Sequence, residues 1–374
     1  MRRYTRFAVV GAGHGGQAMA GYLAHRGYHV NLFNKSAERI DPVAAAGGVH
    51  LTGVLTGFGP LGTVTTDPAE ALRDVQVVMV VVPANAHGAV ARQLAPHLTP
   101  EQVVILNPGR TGGALEFARE LRLAGGPDCL VAEAQTFLFA SRIAGPAQVT
   151  IFGIKRRVPL AALPGHLTRT VLDKISRALP QFTPAVSVLE TSLNNIGAIF
   201  HPAPTLLNAA RIEDPDSDFE YYRTGISPSV AKVLEAMDAE RLAVARAYGV
   251  HGLSAKDWLY RAYGAKGDNL YEALQNNDAY KGILAPTRLD HRYIHEDVPT
   301  SLVPMVALGR LAGIPMPTMS SIVSLGSAVA GVDFWRTGRT LSKMGLKGWT
   351  PREVALWAWG GGSAGDPDDV GRVG

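Results

Sequence analysis

The chain has 374 residues, of which 47% are hydrophobic and 18% charged, and a formal net charge of +4; this is the size and balance of a well-packed globular protein with room for two cores. No apolar run approaches the roughly 18–20 residues that span a bilayer, so no membrane partner is expected, and the lone Cys129 excludes an internal disulfide or a thiolate metal cluster and suits a reducing cytoplasm. The basic residues are scattered, and their one tight group, Lys155-Arg156-Arg157 ahead of Val158-Pro159, reads as a solvated turn and not as a groove for nucleic acid.

Arg6-Phe7-Ala8-Val9-Val10 is a short apolar run ending in Gly11-Ala12-Gly13-His14-Gly15-Gly16. A helical pattern follows, with Ala18, Met19, Tyr22 and Leu23 on one face and Gly27 as its stop, and then a strand from His29 to Phe33 that ends at Asn34. The near-unbroken valines of Val75–Val82 predict a buried parallel strand closed by Pro83. A helix over Ala86–Leu94, a strand over Val103–Leu106, a helix over Gly112–Leu123 and an extended Cys129–Ala132 continue the alternation. Strands at Val149–Gly153 and Val158–Leu160 and a helix near Leu167–Leu179 complete the first half. The fold expected is therefore α/β, with an N-terminal Rossmann domain over 1–187 built on a doubly wound parallel sheet. From Val188 strand signals nearly vanish. The periodicities of Thr191–Phe200, Ser229–Tyr248, Ala255–Tyr263, Pro299–Ala312 and Met319–Ala330 predict an all-helical second domain over 188–359, and the stretch 360–374, poor in apolar residues, predicts a disordered tail.

Three glycines at this spacing occur often by chance, but Gly11, Gly13 and Gly16 follow a strand, open a helix and precede a second strand, which is the context of a dinucleotide site. Gly11 permits the tight turn, Gly13 lets the backbone approach the pyrophosphate, Gly16 lets helix and strand pack closely, and the loop through His14 and Gly15 meets the phosphates at the helix N-terminus. The end of the second strand bears on the choice of cofactor. An acidic residue there accepts from the adenosine ribose 2′-hydroxyl, whereas this chain has Asn34-Lys35-Ser36 with Arg39 beyond, a set that suits a 2′-phosphate; NADP is therefore expected ahead of NAD. Two further loops at carboxyl ends of strands, Pro83-Ala84 and Asn107-Pro108-Gly109, are expected beside the nicotinamide half. His87, just inside a helix, is a candidate for catalysis, but a histidine so placed more often reads as a helix-surface residue.

In the second half His201 ends a mostly apolar helix and is followed by Pro202 and Pro204, which disrupt it. The stretch Asp290-His291-Arg292-Tyr293-Ile294-His295-Glu296-Asp297 packs titratable side chains just ahead of an apolar helix, although Asp297 and Pro299 also make an ordinary helix start. No metal is expected. These two segments, with Leu206-Leu207-Asn208, Leu106-Asn107-Pro108-Gly109, Thr111-Gly112-Gly113-Ala114-Leu115-Glu116 and Gly338-Arg339-Thr340-Leu341, resemble the octopine/nopaline (opine) dehydrogenase family over nearly the whole chain. The resemblance implies reductive condensation of an amino acid's amine with a 2-oxo acid. It makes His201 the general acid/base, Asp297 its carboxylate partner and Arg292 an anchor for a substrate carboxylate. Gly197 departs from the pattern, standing where a relative has asparagine one turn before the histidine; Asn194 and Asn195 are candidates to replace it. Asn34 departs too, standing where that relative has aspartate.

The chemistry fits the residue types. Forming an imine needs a deprotonated amine and then a protonated leaving hydroxyl, which suits an imidazole; a carboxylate on its other nitrogen fixes the tautomer and favours the charged form. Two other readings stay open. A simple 2-oxo acid or 3-hydroxy acid dehydrogenase would carry a lysine in the stretch Thr191–His201, which has none, and a non-catalytic NADP-binding sensor would lack the His201, Asp297 and Arg292 set. The partners expected are small-molecule substrates, with a homodimer left open. Tyr221, Tyr222, Trp258 and Tyr260 are candidate pocket walls, and the lack of an acidic cluster leans the amino acid toward an apolar one.

Overall fold

The computed structural model describes residues 5–361. The chain divides into two compact units, one running to Thr191 and rejoined by the segment from Trp357, the other comprising Ser192–Leu356. The division falls four residues beyond the expected 187/188, and Trp357–Gly361 goes with the first unit and not with the second. There His166 Nδ1 lies 3.1 Å from the Trp359 carbonyl. The last helix, Pro351–Gly360, takes in the first residue of the expected tail; the remainder of that tail, from 362, lies outside the described residues.

Among its described residues the first unit holds twelve strands: β1 (Phe7–Val10), β2 (Val30–Phe33), β3 (Gly48–Gly53), β4 (Gly57–Pro60), β5 (Val64–Thr65), β6 (Val77–Val80), β7 (Val103–Leu106), β8 (Leu130–Ala134), β9 (Phe139–Gly145), β10 (Gln148–Ile154), β11 (Val158–Leu163) and β12 (Phe182–Pro184). Eight form one sheet in the order β12-β11-β8-β7-β6-β1-β2-β5. Phe7 stands opposite both Val30 and Val77, and Val77 opposite Val103, so the central strands pair in parallel. Every residue of β1, β2, β6 and β7 is buried, which is why these strands read as continuous apolar runs. The chain builds away from β1 first toward β2 and β5, then toward β6, β7 and β8. That reversal puts the switch point of the sheet at the carboxyl end of β1, where Gly11 begins.

Two features depart from the sequence reading. The sheet is not wholly parallel, because β11 runs antiparallel to β8. A second, four-stranded sheet, β4-β3-β10-β9, was not foreseen. Its strands β3 and β4, Gly-Val-His-Leu-Thr-Gly and Gly-Phe-Gly-Pro, are short and cut by glycine, so they carry neither a helical period nor a long apolar run.

The second unit is helical, with no strand among its described residues and one isolated bridge, Glu220 to Leu284. Its longest helix, Pro228–Ala247, starts where the Ser227 side chain accepts from the Val230 N–H at 3.3 Å and Pro228 takes the first turn. It buries Ala231, Leu234, Met237 and Val244 along one face. The helix expected over Thr191–Phe200 is broken, stopping at Leu193 and restarting at Gly197. The one expected over Pro299–Ala312 begins as a π-helical turn, Val298–Leu302, before Val303–Leu311. Pro304 explains the irregularity: it has no N–H to give the carbonyls of the preceding turn. Arg339 serves two of them, its N–H donating to Pro299 O at 2.8 Å and its Nη1 to Thr300 O at 3.3 Å. A Cβ on Gly338 would lie 3.0 Å from Pro299 O, so glycine there lets this segment come close to the turn.

Candidate active site

The turn after β1 is shaped by what its glycines lack. A Cβ on Gly16 would lie 1.8 Å from Gly11 O, and one on Gly11, whose φ is +106°, would lie 2.4 Å from Val81 O. Nothing lies within 4 Å of a Cβ on Gly13. The turn is thus closed beneath and open above, and the helix it starts, His14–His25, has neither a side-chain cap nor an acidic residue in its first turn. The positive end of that helix, with no acidic residue in its own first turn, fits a pyrophosphate. His14, expected in this loop, turns its side chain away: Nδ1 accepts from the Ile143 N–H of β9 at 2.8 Å.

Asn34 is a brace. Its Oδ1 accepts from the Ala12 N–H at 3.2 Å and its Nδ2 donates to the Ser36 carbonyl at 2.9 Å. The amide donor expected to face a 2′-phosphate is therefore engaged in holding the turn, and the exposed Lys35 and Arg39, with the half-buried Ser36, are left to meet one. Lys155, expected in a solvated turn, instead bends its ammonium onto Thr136 Oγ1 at 3.0 Å and the Phe137 carbonyl at 2.7 Å.

At the next strand ends, Pro83 is exposed and Ala84 buried. Asn107, joined to Pro108 by a cis peptide, is buried; its Nδ2 donates to the Ile105 carbonyl at 2.8 Å, while Oδ1 has no hydrogen-bond partner among the described residues. A buried acceptor without a donor at a strand's carboxyl end is what a bound nicotinamide amide could satisfy. His87 is wholly buried and not a helix-surface residue; a Cβ on Gly113 would meet its Nδ1 at 3.2 Å. Sequence reasoning also missed Glu133, a fully buried carboxylate at the end of β8. It accepts from the Ala114 N–H at 2.8 Å and from Thr191 Oγ1 at 2.6 Å, and a Cβ on Gly109 would collide with it at 2.3 Å. The one signal it gave was a lone acid within an apolar strand.

In the second unit, His201 stands at the break between the helices Gly197–Phe200 and Pro202–Leu207, where Pro202 interrupts the hydrogen-bond ladder. Its carbonyl is held from two sides, by the Thr205 hydroxyl at 2.8 Å and the Tyr221 hydroxyl at 2.6 Å. Its Nδ1 lies 2.9 Å from Oδ2 of Asp297, which is fully buried at the head of the π-helical turn. The Asp297 Oδ1 lies 3.5 Å from Ser301 Oγ, which accepts from Asn195 Nδ2 at 2.9 Å. Of the two asparagines weighed against the missing one at Gly197, Asn195 reaches the pair through Ser301. Asn194 faces elsewhere, its amide bonded to the His251 carbonyl and the Leu253 N–H.

Arg292, expected to hold a substrate carboxylate, is more than half exposed, with Nη2 2.9 Å from the buried Glu296 carboxylate one turn on. Around His201 the aromatics are denser than expected. Tyr293 stacks on the imidazole with Tyr221 beside it, and Tyr222 stacks on Tyr280. Trp258 joins this group through Tyr263, which meets Tyr280, whereas Tyr260 points outward. Burial pushes the phenols of Tyr221, Tyr222 and Tyr280 well above the ordinary tyrosine range. Burial also lowers the proton affinity of His291, with the charges of Arg292 and His201 acting in the same direction. The neighbouring rings thus stay neutral near pH 7. No cluster of three or more His, Cys, Asp or Glu side chains suited to a metal occurs among the described residues, nor is any helix long and apolar enough to cross a membrane.

Comparison with known proteins gives consistent results. The family model described as "NAD/NADP octopine/nopaline dehydrogenase, alpha-helical domain" matches residues 184–330, and that for the "NAD binding domain of 6-phosphogluconate dehydrogenase" matches residues 6–109. An opine dehydrogenase of Arthrobacter sp. (strain 1C) is 41% identical, over 92% of this chain and 96% of that protein. Among solved structures, octopine dehydrogenase with NADH and L-arginine has a TM-score of 0.77 at 22% identity, covering 91% of this chain and 96% of its own. Yersinopine dehydrogenase with NADP+ bound has a TM-score of 0.73 at 17% identity, covering 96% and 98%.

Proposed function

The chain belongs to the opine dehydrogenase family, and on that premise we propose that His201 and Asp297 carry its proton transfers, that the Gly11–Gly16 turn holds the dinucleotide, and that Arg292 anchors a substrate carboxylate. The reaction is the NAD(P)H-dependent condensation of an amino acid's amine with a 2-oxo acid, with loss of water and reduction of the resulting imine to a secondary amine. The octopine dehydrogenase structures hold L-arginine or pyruvate with NADH, an amino acid and a 2-oxo acid. A reduced nicotinamide, when bound, supplies the hydride.

The contact that carries the proposal is His201 Nδ1 to Asp297 Oδ2 at 2.9 Å. With Nδ1 engaged, Nε2 is the nitrogen left to take a proton from the ammonium of the amino acid and return it to the departing hydroxyl. The fully buried Asp297 carboxylate holds the Nδ1 edge of the ring and so fixes the direction in which Nε2 points. Arg292 presents a planar fork to a carboxylate, and Glu296 behind it sets the direction of that fork. In the first unit, Gly13 leaves room for the pyrophosphate, the helix N-terminus meets its charge, and Asn107 Oδ1 awaits a donor. The exposed Lys35 and Arg39 support NADP(H) as the preferred form, with NAD(H) accepted. A homodimer in the cytoplasm completes the proposal and is read by light scattering and cell fractionation.

The test is NADPH and NADH oxidation across a matrix of amino acids and 2-oxo acids, with product mass measured. A product weighing the sum of its two substrates less one oxygen is expected, with the lower KM for NADPH. Reduction of the 2-oxo acid alone to its hydroxy acid would overturn the role given to the pair in condensation.

A further inference from the structure

Tyr293 lies flat against His201, with ring centroids 4.2 Å apart and planes 16° from parallel. Asp297 grips the same imidazole along its edge, through Nδ1. The two contacts are at right angles: the carboxylate fixes the direction of the ring within its plane, and the phenol fixes the plane. Both come from neighbouring turns of one segment, since Tyr293 and Asp297 are four residues apart and project to the same side. Tyr293 is itself held. Tyr221 leans on it at 5.3 Å, the edge of His291 meets it at 4.4 Å and 82°, and its N–H lies 3.4 Å from His291 Nδ1.

We propose that Tyr293 is a positioning residue for proton transfer, its ring face steadying the His201 imidazole and stabilising its protonated form. This rests on His201 being the proton carrier. An imidazole tied at one nitrogen can still rock about that bond, which would sweep Nε2 away from the substrate nitrogen; a parallel ring removes that freedom. The negative face of an aromatic ring also attracts a cation, so the stack is stronger when His201 is charged than when it is neutral. The hydroxyl of Tyr293 has no part in either effect. The other groups that bear on His201 are Asp297, whose charge acts in the same sense, the Tyr221 phenol on its carbonyl, which burial keeps protonated, and His291 and Arg292 beyond Tyr293. Tyr293→Phe keeps the ring contacts to Tyr221 and His291, whereas Tyr293→Leu removes them together with the stack on His201.

Three proteins distinguish the outcomes. In Tyr293→Leu, which keeps apolar bulk but removes the π face, the limb of the kcat/KM profile governed by His201 is expected to move to lower pH by roughly half to one unit. kcat should fall about tenfold, the size of a modest loss of alignment, with the KM for NADPH unmoved. Tyr293→Phe, which keeps the face and drops the hydroxyl, should return the limb to its original position. His201→Ala tests the premise: if it turns over normally, the acid/base reading fails, whereas if it is inactive and the Tyr293→Leu profile stays in place, only the present inference fails. Equal losses in Tyr293→Phe and Tyr293→Leu would overturn it too, by pointing to the hydroxyl. Should Tyr293→Leu not fold, the unsubstituted protein still answers. The His201 Hε1 resonance, assigned by its loss in His201→Ala, must show the upfield ring-current shift of a stacked ring, and its absence would overturn the inference.

Discussion

The nucleotide turn and the proton-transfer pair are built by opposite means. Six consecutive residues, Gly11 to Gly16, make the turn, and they do so through absent side chains, since a Cβ at Gly11 or Gly16 would strike backbone while one at Gly13 would fill open space. The pair joins side chains 96 residues apart, each placed by an interrupted helix: Pro202 breaks the ladder at His201, and the π turn after Asp297 precedes Pro304. Backbone geometry of the first kind is local and tolerant of side chains around it. Side-chain geometry of the second kind depends on distant supports, among them Tyr221 on the His201 carbonyl and Arg339 beneath the turn. Substitutions in the two regions should therefore fail differently.

The largest effect is expected at His201. His201→Ala should lower kcat by roughly 10²–10⁴-fold, the usual worth of general acid–base catalysis, while NADPH affinity measured by fluorescence titration stays as it was; loss of nucleotide binding would show that the two regions are not separable in this way. Gly13→Ala is the converse. Its thermal midpoint should not change, because the added methyl meets nothing, but cofactor affinity should weaken about tenfold, a cost of about 1.4 kcal/mol, and an unaltered Kd would place the pyrophosphate elsewhere. Arg292→Lys should raise KM for one of the two carboxylate substrates by roughly fivefold with little change in kcat, since an ammonium lacks the planar fork. Unchanged KM for both would remove the anchor role.

The smallest effect concerns pH. Burial depresses the proton affinity of His291 in the folded protein, so the unfolded chain binds the proton more readily. Stability from this residue is present above the unfolded value near pH 6.5 and is lost as pH falls through and below it. His291→Asn should flatten that acid-side decline in urea melts between pH 5 and 7.5; an identical slope would assign the decline to other groups.

The same contrast explains what the sequence disclosed. The glycine turn, the valine strand Val77–Val80 and the helix Pro228–Ala247 were legible because each is specified by residues adjacent in the chain. The four-stranded sheet was not, because strands such as Gly57–Pro60 are too short and glycine-rich to show a period and exist through pairing with distant partners. The antiparallel junction of β8 and β11 escaped for the same reason, since strand direction is a property of the pair. In the site, His201 beside Pro202 and Asp297 ahead of Pro299 drew attention as residues, but their association came from family resemblance and not from spacing. Asn195 and Asn194 look equivalent in sequence and differ only in what lies opposite, Ser301 for one and the 251–253 loop for the other. Glu133 and His87 are both buried, and the partners of Glu133 sit on other elements; beyond a lone acid in an apolar strand, the local sequence does not say what such a residue meets.

Whether His201 and Asp297 act as one device is tested most directly by a double-mutant cycle on kcat. Measured under identical saturating conditions, His201→Ala, Asp297→Asn and the double variant should show that Asp297→Asn costs activity only while His201 is present, so that the double variant turns over as slowly as His201→Ala and no slower. A double variant slowed by the product of the two single losses would mean that the carboxylate and the imidazole work independently, and would contradict the pair.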